Sequence, residues 1–97
     1  MNVTFQSLVD DFIKGDTAGH SGSPSNPGNL RIIQNQLIHY STPIAERYGD
    51  KFIINVTRYS LQTGRLQKMI KSSIPANMII EAKRVPADKT LSLVDYI

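Results

Sequence analysis

Residues 37–71, LIHYSTPIAERYGDKFIINVTRYSLQTGRLQKMIK, constrain the fold most, because a strand-like hairpin there runs straight into an amphipathic helix. FIINVTRY, residues 52–59, has the β-branched and aromatic content of a half-buried strand. Gly49 and Asp50 just before it supply a turn. A three-residue loop over 49–51 sets Tyr48 opposite Phe52 and Ile44 opposite Val56, which gathers one apolar face. A two-residue loop mixes the faces, since a one-residue slip exchanges core and solvent sides. Upstream, LRII and LIHY read as strands joined by a tight turn at Asn35 and Gln36. Pro43 has no amide proton, so the strand holding it lies at an edge or bulges there. Beyond Tyr59, Ser60 or Thr63 can cap a helix whose buried stripe is Leu66, Met69, Ile70 and Ile74, and Pro75 stops it.

The flanks complete the pattern. Phe5, Leu8, Val9, Phe12 and Ile13 fall on one helical face, with Thr4 as N-cap and Gly15 as the C-terminal stop. Residues 16–29 are dense in Gly, Ser, Pro and Asn and carry no periodicity, so they are expected to be a flexible loop. MIIEAKRV, residues 78–85, is a last strand, and TLSLVDYI, residues 90–97, fits either alternation (Leu91, Leu93) or a helical turn (Leu93, Val94, Ile97). The expected architecture is a single α+β domain over residues 1–97. It has an N-terminal helix and a small antiparallel sheet of about three to four strands, with a second helix packed on one face.

Composition narrows the function classes. A 97-residue chain with 40% hydrophobic and 20% charged residues is that of one globular domain with one core. Cysteine is absent, which excludes a disulfide framework and a thiolate metal site. Acids near the N-terminus stand where a secretory leader would be basic, and no apolar run approaches the roughly 18 residues of a membrane span. The expectation is a soluble cytoplasmic protein with no membrane partner.

Charge distribution is more informative than the net value of +3. Asp10, Asp11 and Asp16 lie near the N-terminus, whereas Arg58, Arg65, Lys68 and Lys71 follow one another with no acid between them. Arg65, Lys68 and Lys71 are three apart and so share one side of the helix, opposite Leu66, Met69 and Ile70. Such a row can neutralise phosphates, and it can equally be a solvated face that keeps the protein soluble. Tyr40, Tyr48 and Tyr59 would strengthen the nucleic-acid reading if exposed beside it as stacking platforms. At the strand-to-helix junction, Ser60, Thr63, Gly64 and Arg65 combine hydroxyls, a small residue and a guanidinium into a chemically sensible anion pocket, although N-capping accounts for the same hydroxyls. The candidate nucleic-acid or anion-binding set is therefore Arg58, Ser60, Thr63, Arg65, Lys68 and Lys71.

No catalytic residue, metal-ligand set or cofactor motif is assigned. His20 falls in the expected loop and His39 in a strand, with no partner at a metal-ligand spacing. An RNA-cleaving enzyme built on the two histidines is the third choice. Glu46 and Asp50 flank a turn and are expected to pair with Arg47 or Lys51.

The run L-x-x-Y-S-T-P-I-A-x-R, then D-K-F-I-I-N-V-T-R-Y-S-x-x-T-G-R-x-Q, is carried by Leu37, residues 40–45, Arg47, residues 50–60, residues 63–65 and Gln67. It resembles a family of small proteins encoded by phages, prophages and plasmids. That family has no established activity, so the resemblance implies a mobile-element accessory protein and supplies no catalytic residues. The leading expectation is a non-enzymatic protein that binds nucleic acid or a nucleoprotein complex through the basic helix face. The alternative is a protein–protein inhibitor of a host or antiviral-defence factor, anti-CRISPR-like and using a sheet edge near Pro43 or the apolar tail. A basic chain is not a DNA mimic. A dimer is compatible with either.

Overall fold

Two hydroxyl caps set the helices. In the computed structural model, which describes residues 3–23, 25–86 and 92–97, Thr4 opens α1 (Phe5–Lys14) and Ser60 opens α2 (Leu61–Ser73). Thr4 Oγ1 accepts the Ser7 amide at 3.1 Å, and Ser60 Oγ accepts the Thr63 amide at 3.2 Å. Each satisfies one of the donors a helix start leaves without a partner. Gly15 closes α1, and α2 ends where the chain turns extended at Ile74, before Pro75. Leu8, Val9 and Phe12 are buried on α1, and Leu66 and Ile70 on α2, as the periodicity requires.

Six strands form one mixed sheet in chain order: β1 (Ala18–Ser23), β2 (Asn26–Ile33), β3 (Gln36–His39), β4 (Thr42–Tyr48), β5 (Lys51–Asn55) and β6 (Ile79–Ala82). All neighbours are antiparallel except β5 and β6, which run parallel and need a crossover that α2 provides. The fold is α+β. One core joins Leu8, Phe12, Leu66 and Ile70 of the helices to Leu37, Ile44, Phe52 and Ile54 of the sheet. A smaller cluster of Ile53, Ala82, Val85 and Leu93 lies apart from it, sealed by a single 3-10 turn over Leu93–Tyr96. Of the two readings of the tail, the helical one holds for residues 93–96; Leu91 lies outside the described residues.

The sheet exceeds the expected three to four strands, and part of the excess comes from the stretch expected as a flexible loop over 16–29. That stretch is instead a hairpin, β1 pairing with β2. The composition misleads because this hairpin is held by backbone pairing rather than by side chains of high strand propensity. Val3 and Gly22 exchange backbone hydrogen bonds of 2.8 and 2.9 Å along β1, and the apolar burial falls to Leu30 and Ile32 of β2. Gly28 is there because Ser21 packs against it: a Cβ would overlap the Ser21 hydroxyl, which accepts the Leu30 amide at 3.2 Å. Gly28→Ala is therefore expected to destabilise the fold by about 1–3 kcal/mol, read as a lowered urea midpoint at unchanged slope.

Two turns also differ from expectation. The β2–β3 turn centres on Gln34 and Asn35, with Ile33 opposite Gln36, rather than on Asn35 and Gln36. The β4–β5 loop has two residues, Gly49 at φ 62° and Asp50, so Tyr48 faces Lys51 rather than Phe52. The feared mixing of faces is resolved by a bulge. Leu37 pairs with Ala45 and Ile38 with Pro43, which leaves Ile44 as the extra residue, and both Ile44 and Ala45 join the helix-side core. The same bulge lets Pro43 sit inside the sheet on β4, so it marks no exposed edge for an inhibitor to use.

The shorter loop sets Glu46 opposite Ile53, and Glu46 is buried at 4% exposure. It pairs with neither Arg47 nor Lys51. Its carboxylate accepts from Gln36 Nε2, Ser92 Oγ and the Leu93 amide, each at 2.9 Å, which clips the C-terminal segment onto the sheet. Arg47 reaches the other way. It donates to Phe12 O at 2.6 Å and Gln34 O at 2.7 Å, with its guanidinium 4.7 Å from the centre of the Phe12 ring. No helix among the described residues is long and apolar enough to cross a membrane.

Candidate functional site

The five residues 56–60 between β5 and α2 have no regular secondary structure, so side chains must position them. Asn55, fully buried, does most of this. Its Oδ1 accepts the Thr57 amide at 3.0 Å, and its Nδ2 donates to Pro43 O at 3.0 Å and to the Tyr59 hydroxyl at 2.9 Å. Gln67 on α2 donates to Asn55 O at 2.6 Å and to Thr57 O at 2.9 Å. Thr57 Oγ1 accepts the Val85 amide at 2.9 Å, and Tyr59 donates to Val85 O at 2.6 Å. The connector is thus tied to β4, α2 and the segment after β6.

Over this connector and the adjoining face of α2 lies a cleft of about 790 Å³, lined by Val56, Arg58, Tyr59, Ser60, Leu61, Gly64, Arg65, Gln67, Lys68 and Lys71. Five of the six residues expected from the sequence, Arg58, Ser60, Arg65, Lys68 and Lys71, meet there. Thr63 does not. It is buried, and its hydroxyl accepts from Ser60 Oγ at 3.0 Å and lies 3.2 Å from His39 Nδ1. The Ser60 hydroxyl is thus engaged in capping α2 and the Thr63 hydroxyl in bonds to Ser60 and His39, and the charge of the cleft comes from its cations.

The row of cations is not uniformly free. Among the described residues two ion pairs form, Lys14 with Asp11 at 3.6 Å on α1 and Lys71 with Glu81 at 2.8 Å. The hydrogen bond and charge of Lys71 hold the Glu81 carboxyl below its ordinary value. Arg58, Arg65 and Lys68 are exposed and have no carboxylate partner among the described residues. Sequence inspection could not see Glu81 as a partner, because the pair depends on β6 lying parallel to β5. It also passed over Val56, Leu61 and Gln67 as cleft residues, since each reads as an ordinary strand or helix position.

The tyrosines separate. Tyr59 lines the cleft, half-buried. Tyr40, 53% exposed in the turn before β4, lies with its ring centre 4.6 Å from that of His39 and tilted by 59°, and does not line the cleft. Tyr48 is exposed at the β4–β5 turn, at the opposite end of β5 from the connector. The histidines are not brought together in the cleft either: His20 lies exposed on β1, and His39 is buried against Phe5 and Thr63. Among the described residues no cluster of His, Asp or Glu could hold a metal ion.

Burial lowers the His39 pKa from its ordinary 6.5, and its Nε2 has no hydrogen-bond partner. The fold keeps the neutral ring, while the unfolded chain takes up a proton as pH drops through 6.5. This contribution to stability is thus complete above 6.5 and declines as pH falls toward the lower folded-state value. The urea midpoint is expected to fall between about pH 7.5 and pH 5.5, and to fall less in His39→Leu than in the wild type. Equal declines in the two proteins would show that His39 is not the titrating group.

No protein-family model matches the chain, and no curated protein and no solved structure matches it.

Proposed function

We propose that the protein is a non-enzymatic accessory protein of a mobile genetic element that binds nucleic acid, free or within a nucleoprotein complex, through the cleft between residues 56–60 and α2. The observation that carries this is the convergence of Arg58, Arg65 and Lys68 on one concave surface without a carboxylate partner among the described residues. Uncompensated cations gathered in a cleft raise the local potential and attract a polyanion, whereas cations serving only solubility have no need to converge. The origin in a mobile element rests on the resemblance carried by residues 37–67.

A binding titration against DNA and RNA across salt tests the proposal. Three phosphate contacts predict a logarithmic salt slope of about −2 on a single strand and about −2.7 on a duplex. Absence of binding at low salt contradicts the proposal.

Lys71 offers a gain-of-function check. Glu81→Gln releases it from its ion pair. The variant is expected to bind more tightly at low salt and to steepen the slope by up to about one contact. An unchanged slope would place Lys71 outside the contact surface.

A further inference from the structure

The cleft contains an apolar strip that contact with phosphates alone does not require. Tyr59 lines it with its hydroxyl held on both sides, donating to Val85 O at 2.6 Å and accepting from Asn55 Nδ2 at 2.9 Å, so the ring is fixed in place. Leu61, at the first position of α2, is 76% exposed and extends the apolar lining beside Tyr59. Val56 adds a further apolar wall, and the space beside Gly64 is open, with no atom within 4 Å of where a Cβ would stand. Around this strip stand cations from two elements, Arg58 from the connector and Arg65 and Lys68 from the helix.

We infer that the cleft takes single-stranded nucleic acid, with an unpaired base against Tyr59 and Leu61 and the flanking phosphates on Arg58, Arg65 and Lys68, an inference that rests on the nucleic-acid reading above. A duplex could meet the cations but not the strip, because its bases are stacked inside a convex rod. A single strand brings both complements, a free base face for the aromatic ring and phosphates for the cations. The cleft of about 790 Å³ is open to solvent, which leaves a strand free to pass along it. The strip makes no hydrogen-bond demand on a base, so recognition is tolerant of sequence. Base face and phosphate are common to DNA and RNA.

The test compares oligothymidylate, oligouridylate, a mixed-sequence duplex and an abasic deoxyribose-phosphate oligomer, all of one length, by fluorescence anisotropy at low salt. At least one single strand is expected to bind about tenfold or more tightly than the duplex, and the preference between the two names the source. The abasic oligomer keeps the phosphates and is expected to lose about tenfold against oligothymidylate. Leu61→Ser, at a rim position with little to lose in the fold, is expected to weaken oligothymidylate severalfold while leaving the abasic oligomer unchanged. Equal affinity for duplex and single strands, or for abasic and base-bearing strands, overturns the inference while the proposed function stands. No binding to any of the four overturns both.

Discussion

Alanine at Arg58, Arg65 and Lys68 together is expected to lower affinity for an oligonucleotide by roughly a hundredfold at low salt, and to flatten the salt slope nearly to zero. The three side chains line one cleft, are exposed, and have no carboxylate partner among the described residues. The loss therefore carries no compensating release of an acid. Lys71 remains, but its charge is shared with Glu81 across 2.8 Å. Surface substitutions of this kind leave stability within about 0.5 kcal/mol, so thermal unfolding of the variant should match the wild type. A variant that folds normally and still binds with a slope of about −2 would show that the contact surface lies elsewhere.

Asn55→Ala is expected to have the largest effect on the fold itself. Asn55 is fully buried at the end of β5, and its side chain makes three hydrogen bonds, to the Thr57 amide, Pro43 O and the Tyr59 hydroxyl. Truncation leaves those groups without this partner in a buried or part-buried site, at a cost of about 2–4 kcal/mol. Against an expected total of about 5–10 kcal/mol, this is a large fraction. Because the same bonds hold the connector under the cleft, binding should weaken even where the variant remains folded. Chemical denaturation together with an affinity measurement separates the two effects. A stability unchanged within about 0.5 kcal/mol would show that solvent replaces the amide.

Much of this was legible in the sequence where local chemistry decides. Thr4 and Ser60 occupy the N-cap positions that their hydroxyls favour, Gly15 takes the positive φ that closes α1, and α2 ends before Pro75. The cations converged because residues three apart on α2 share a side, and because Arg58 lies two residues before the cap. What was not legible depends on pairing between distant segments. β1 pairs with β2 although β1 and the first half of β2 have poor strand propensity, and only a view of Ser21 against Gly28 shows why glycine belongs there. The bulge at Ile44 rescues a two-residue loop that the alternation of apolar residues argued against. The burial of Glu46 and the Lys71–Glu81 pair follow from long-range topology: the return of the C-terminal segment in one case and the parallel β5–β6 pair in the other. Thr63 was misplaced for a simpler reason. One hydroxyl can serve a ligand or the helix start, and here it faces inward to Ser60 and His39.

The central claim is a location, and amide chemical-shift mapping addresses it directly. During titration with an oligothymidylate, the largest shifts should fall on residues 56–71, with Tyr59, Leu61, Arg65 and Lys68 foremost and β1 and β2 undisturbed. Shifts centred on the β1–β2 hairpin or on α1, with residues 56–71 unmoved, would contradict it.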